Sequence, residues 1–225
     1  KVDEEGGPER ALGLYVSSPA KPEGPIVDVC SRAKAVFRGA GAVTTTTEPV
    51  MKAAMLHLAE IWPRAVSVTE LIAVARSRVN PVAALVDVTQ VSADSRKLVE
   101  PLLRCYATGQ VEFAASPSSF TTTVSQRPIA SELARLQAQG SHRVTNLRHE
   151  SVTLDDLHRH VLRHLDGKND RAELLGKVAE LVAQGLLVLR EDGRPIDEVS
   201  RVRETLDSPL SDALARLAND ALLTG

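Results

Sequence analysis

Aromatic side chains are scarce in this chain of 225 residues: one Trp, two Tyr and three Phe. A core with so few rings must be packed mainly from Leu, Val and Ala, which favours helices. Cysteine is scarcer still. Cys30 and Cys105 lie far apart, which excludes a disulfide framework or a cysteine-rich zinc site and points to a reducing, cytoplasmic setting. Positive charge is not in excess, since 27 Lys+Arg against 29 Asp+Glu leave a net charge of −2. Without a bulk positive field, nucleic acid is not an expected partner. No apolar run approaches the roughly 18 residues a membrane span needs, so no membrane partner is expected either. The start, Lys1-Val-Asp-Glu-Glu-Gly-Gly, lacks an initiator Met and has neither signal nor transit character. The chain therefore reads as a fragment or ordered remainder of something longer.

What is present is helical periodicity. Residues 1–30 are rich in Gly, Pro and Ser and read as an irregular connector with one short apolar piece at 12–16. Residues 35–37 and 42–46 read as short strands around Gly39 and Gly41. Thr47 is the expected N-cap of a helix over 48–61, whose apolar face is Met51, Ala54, Met55, Leu58 and Trp62. Ser67-Val-Thr-Glu70 has the spacing of a capping box. Leu71, Ile72, Ala75 and Val79 follow, and Asn80-Pro81 stops that helix. Residues 82–90 read equally as linker or as continued helix. Ser92 is the expected cap of a third helix, interrupted by Pro101 and stopped by Gly109. Residues 111–115 and 120–124 then read as a hairpin, and three helices before a hairpin form a winged-helix pattern.

The second half repeats the rhythm. A helix is expected over 129–139 and a strand over 143–145. Thr153 is the expected cap of a helix lined by Leu154, Leu157, Val161 and Leu165. Asn169 is the expected cap of the next helix, which carries Leu174, Leu175, Val178, Leu181 and Val182. A buried strand is expected over 186–189, a turn over 191–193, and a helix over 197–223 broken at Ser208-Pro209. The expected architecture is mainly α with small β-hairpins (α+β), in two tandem winged-helix-like domains. The divisions are a connector over 1–41, a first domain over 42–128 and a second over 129–225.

Chemistry is thinly represented. His160 and His164 are four apart on one helix, as zinc-binding pairs often are, but no cysteine is near. The expected role of His158, His160 and His164 is a solvated face opposite the Leu stripe. The Thr run 44–47 lacks the glycines and Lys of a phosphate loop, and Gly39-Ala-Gly41 is too weak for a dinucleotide fingerprint. Cys105 reads as a buried structural thiol. Asn146, Arg148 and His149 lie on a loop between a strand and a capped helix, where contact residues concentrate. Arg148 could reach Asp155 or Asp166, and the loop's polar residues could equally tie down its backbone. The helices placed as DNA readers are close to neutral. One carries Arg96, Lys97 and Arg104 against Asp94 and Glu100, and the other Arg171 and Lys177 against Asp170, Glu173 and Glu180.

Several stretches resemble a known family. Thr47-Glu-Pro-Val-Met-Lys-Ala-Ala-Met-Leu-His-Leu-Ala-Glu-Ile-Trp-Pro-Arg-Ala-Val66 and Leu103-Arg-Cys-Tyr-Ala-Thr-Gly-Gln-Val-Glu-Phe113 resemble the predicted regulatory domain that follows the catalytic domain in certain bacterial class I methyltransferases. Thr145-Asn-Leu-Arg-His149, Leu165-Asp-Gly167 and Asp170-Arg-Ala-Glu-Leu174 resemble the C-terminal winged-helix-like domain of the same proteins, which include bacterial protein-lysine methyltransferases. Leu14-Tyr-Val-Ser-Ser-Pro-Ala-Lys-Pro22 is similar to the connector that enters this region.

The resemblance implies a region that accompanies, shapes or gates a methyltransferase. It implies no catalytic, cofactor-binding or metal-binding residue here, with S-adenosylmethionine expected in an upstream domain that this sequence lacks. The implied partners are that upstream domain in cis, a protein substrate and a second copy of the chain. The candidate contact residues are Asn146, Arg148, His149, Trp62 and Tyr15. The competing expectation is a free-standing tandem winged-helix adaptor or weak DNA binder. A lesser one is an independent enzyme using His149 or Cys105.

Overall fold

Strands form early in this chain, before any long helix, and they decide the shape of the first unit. The computed structural model describes residues 8–24, 27–39, 41–81, 89–188, 190–191, 194–195 and 199–224. It divides into two compact units, Lys1–Ser118 and Ser119–Gly225.

The first unit opens with a 3-10 turn over Pro8–Gly13 and strand β1, Tyr15–Ser17. Then come β2, Lys21–Pro22, β3, Ala35–Gly39, and β4, Ala42–Thr46, in an antiparallel sheet of order β2-β3-β4. Period-2 burial drives β3, which turns Ala35 and Phe37 inward. Gly39 is required where β3 passes Ala20, because a Cβ there would lie 2.8 Å from the Ala20 Cα.

Helix α1, Pro49–Ile61, buries Met51, Ala54, Met55 and Leu58, as its apolar spacing predicts. Its N-cap is Glu48 rather than Thr47, because Pro49 at the first turn sets the boundary one residue later. Strand β5, Val66–Ser67, leads into α2, Val68–Val79, where the Ser67 hydroxyl accepts from the Glu70 N–H at 3.1 Å, as expected of that cap. The ambiguous stretch 82–90 falls largely outside the described residues. Helix α3, Thr89–Ala107, begins before Ser92 and runs through Pro101 without ending there. Gly109, at φ +72°, turns the chain out of it. Strand β6, Glu112–Ala114, completes the unit.

Two expectations differ from this unit. Residues 12–17 do not lie in an irregular connector. Strand β1 is the centre of a sheet of order β5-β1-β6, with Val16 opposite both Val66 and Phe113. Nor does 120–124 return beside 112–114 as a hairpin. Strand β6 pairs with β1, and Phe120 instead bridges Thr224 in the second unit.

The second unit packs Leu154, Val161, Leu165, Leu174 and Val178 against Leu206, Leu210, Leu214 and Leu217. Helix α4, Glu132–Gln137, is shorter than expected because Ile129 and Ala130 bridge Asp166 and Leu223 instead. Strands β7, Arg143–Thr145, and β8, Ser151–Thr153, form an antiparallel pair. Thr153 therefore ends β8, and Asp155 caps helix α5, Asp156–Arg163. Asp170, not Asn169, caps α6, Arg171–Ala183, in a complete capping box with Glu173. Asn169 is drawn away to the His164 carbonyl at 2.8 Å.

Residues 186–188 are not a buried strand: only Leu187 turns inward, and Leu186 and Val188 are exposed. Residue 189 lies outside the described residues. Strands β9, Arg190–Glu191, and β10, Arg194–Pro195, form a short ribbon. Helix α7, Val199–Asn219, continues through Pro209 where a break was expected. The α+β class predicted from sequence is the class observed. Among the described residues no helix is long and apolar enough to cross a membrane.

Candidate functional site

The loop between β7 and β8 is built around one amide. Asn146 is buried, and all four of its bonding directions are used. Its Oδ1 accepts from the backbone N–H groups of Arg148 at 2.9 Å and Glu150 at 2.8 Å. Its Nδ2 donates to Glu150 Oε2 and to the Asp220 carbonyl, both at 3.0 Å. The Leu147 N–H donates to the Ala221 carbonyl at 2.9 Å, so the loop is fastened to the end of α7. Arg148 Nε meets Glu150 Oε2 at 3.2 Å, not Asp155 or Asp166, because the turn folds position 150 back over position 148. His149 sits exposed at the tip with φ +62°, a left-handed conformation uncommon for a residue with a side chain.

Asn146, Arg148 and His149 thus come together in one loop, where Asn146 secures the backbone and His149 is presented outward. Tyr15, in β1, and Trp62, just past α1, are half-buried in the first unit. Sequence reasoning missed Glu150 and the α7 end. The two-residue spacing to Arg148 was the signal for Glu150, and nothing local signals residues 220–221.

The histidines of α5 do not form a solvated face. His160 is buried, and His158 Nδ1 meets Asp155 Oδ1 at 2.6 Å. The Leu stripe alone did not signal the burial of His160. Burial, then the cations of Arg159 and Arg163, hold the His160 ring below its ordinary pKa. His164 is lowered by burial and by Lys177 and Arg163. Partial burial alone would raise Asp155. The backbone N–H and ring of His158, with Arg216, more than offset this and hold the carboxyl low. Among the described residues no group of three or more His, Cys, Asp or Glu could hold a metal.

A groove of about 370 Å³ lies between β4 and α3 in the first unit. Val43, Thr44, Thr45 and Thr46 form one wall, Pro101, Arg104, Cys105 and Thr108 the other, and Met51 also lines it. Cys105 is buried, as expected, with its Sγ 3.3 Å from Thr44 Oγ1. Gln110, fully buried, also accepts from Thr44 Oγ1 through its Oε1, and its carbonyl receives the Ser18 hydroxyl at 2.6 Å.

In the second unit, a strand pair, two helices packed at their sides, a short ribbon and a long closing helix define a winged-helix domain. Residues 126–222 match the family described as "PKMT, C-terminal winged helix domain". The resemblance to the C-terminal region of protein-lysine methyltransferases therefore holds. Two solved structures share the fold. PKMT2 from Rickettsia typhi is 16% identical with a TM-score of 0.72 over 96% of this chain and 43% of that one. The same protein in complex with AdoHcy is 17% identical with a TM-score of 0.75, over 95% and 43%. An uncharacterized protein of Rickettsia prowazekii (strain Madrid E) is 23% identical over 181 residues, 80% of this chain and 31% of its own length. The chain spans less than half the length of each of these proteins.

Proposed function

We propose that this chain is the non-catalytic C-terminal region of an S-adenosylmethionine-dependent protein-lysine methyltransferase, and that it frames the protein substrate for a catalytic domain lying upstream. The observation that carries this reading is the match of residues 126–222 to the PKMT C-terminal winged helix domain. The fold shared with PKMT2, a protein solved in complex with AdoHcy, supports it. The first unit takes the part of a regulatory domain. The exposed His149 with Arg148 and Asn146, and the half-buried Trp62 and Tyr15, are the contact residues. A second copy of the chain is the further partner to test.

The near-neutral helices α3 and α6 argue against DNA as partner. In α6, Arg171 is already held by Asp207 Oδ1 at 2.8 Å and the Ser211 hydroxyl at 2.6 Å.

The native protein should be sized in its source cell with an antibody raised against this chain. A band about twice this mass leaves room for an upstream domain of ordinary length. In that parent protein, His149→Gly is then expected to lower methyl transfer to a protein acceptor. A band at the mass of this chain alone overturns the reading in favour of a free-standing winged-helix adaptor.

A further inference from the structure

We infer that the β4–α3 groove of the first unit is a docking site for an extended peptide, which adds to β4 as a further antiparallel or parallel strand. Among the described residues, strand β4 pairs with β3 on one side and stands last in the order β2-β3-β4. Four consecutive residues, Val43 to Thr46, line the groove. Side chains alternate between the two faces of a strand: Thr44 turns inward to Cys105 and Gln110 while Val43 and Thr45 are exposed, so residues of both faces border the groove and it reaches the outer edge of β4. That edge presents main-chain N–H and C=O groups, whose natural complement is another extended main chain.

The opposite wall suits such an occupant. Pro101, Arg104 and Cys105 lie at helical spacing along one face of α3, and Thr108 follows just past its end. The groove therefore runs as a trough between a strand edge and a helix face. Met51 and Cys105, both buried, give it an apolar floor for one side chain of the guest. Arg104, largely exposed and held only by a long i,i+4 pair with Glu100 at 3.7 Å, keeps N–H groups free to exchange that weak surface pair for a guest carboxylate.

The sequence of β4 strengthens the case. Proteins usually guard an edge with a lysine, a proline, a bulge or an inward charge. Ala42-Val-Thr-Thr-Thr46 has no charge and no proline, and its last four residues are β-branched. Such an edge invites a strand, and the groove beside it limits which strand can fit. This inference does not rest on methyl transfer.

The test uses fluorescein-labelled peptides as long as β4, which has 5 residues. They alternate Thr and Val and carry one Asp. One twin is N-methylated at alternate residues along one edge, and a second twin along the other. Fluorescence polarisation with the whole chain, in the absence of any methyl donor, should show saturable binding of the parent peptide. One twin is expected to bind about tenfold or more weakly, and the other to bind as the parent does.

Thr108→Trp, at an exposed lining position, should abolish binding while leaving the melting curve in place. Arg104→Glu should weaken the Asp peptide and favour a Lys counterpart. No binding, equal loss with both twins, or binding indifferent to both variants overturns the inference. Self-association of the chain that Thr108→Trp abolishes would identify a second copy as the occupant, and would equally overturn it. Because the assay measures binding alone, its failure is distinguishable from the failure of the methyltransferase reading, which is decided by the native mass.

Discussion

At Asn146 a single side chain holds two main-chain donors, one carboxylate and one distant carbonyl. Asn146→Ala leaves those groups to find water or go unpaired, and is expected to lower stability by about 1–3 kcal/mol, read as a fall in urea midpoint at unchanged slope. His149 behaves in the opposite way. Its φ of +62° is strained for a histidine and ordinary for glycine. His149→Gly should therefore stabilise the fold by up to about 1 kcal/mol, read as a higher urea midpoint. A residue whose removal stabilises the fold while lowering methyl transfer in the parent protein is held there for contact rather than packing.

His160 gives a pH signature. Its pKa is lowered in the folded state, so the folded chain disfavours the protonated ring. Its contribution is present above the unfolded value of about 6.5 and is lost as pH falls through the lowered folded value. Thermal melts of His160→Gln should show a shallower loss of stability on acidification below about pH 6.5 than the wild type. His57 and His164 are lowered as well and leave part of the slope in place.

Among the elements, those governed by local spacing were legible. The apolar faces of α1, α2, α5 and α6 follow from periodicity, and Ser67 and Gly109 act as their chemistry predicts. Caps slipped by a residue or two wherever several polar side chains competed. Thr153, Asp155, Asn169 and Asp170 are all acceptable cap residues, and the tertiary partners of each decide among them. Asp155→Ala should remove the cap that receives the His158 N–H at 2.9 Å and lower the melting temperature, at a cost of about 1 kcal/mol. Gly167, at φ +80°, is packed so that a Cβ would lie 2.9 Å from Ile129 Cγ1. Gly167→Ala is expected to cost more than the cap does, by adding crowding to left-handed strain.

For the whole molecule, the α+β class and the winged-helix character of the second half could be read from composition and element order. The long-range pairings could not. Nothing in Leu14-Tyr-Val-Ser-Ser announces a partner at 66–67 or at 112–114, and a short apolar piece among prolines and glycines reads as connector. The same blindness concealed the groove, whose walls come from residues 43–46 and 101–108. The single Trp, Trp62, offers a direct probe of the first unit. Val16→Asp places a carboxylate at a fully buried central position, and should destabilise that unit by several kcal/mol, read as an earlier Trp62 emission transition in urea, or prevent its folding.

The central position of β1 also sets a schedule. Val16 meets Val66 on one side and Phe113 on the other. During synthesis Tyr15–Ser17 emerges long before Glu112–Ala114, and a ribosome adding about 5–20 residues per second needs on the order of 5–20 seconds to cover the gap. Until Val66–Ser67 follows, the strand that will become the middle of the sheet is bare on both edges, and through the rest of the interval it is bare on one. The time of greatest exposure for this unit is therefore its own translation.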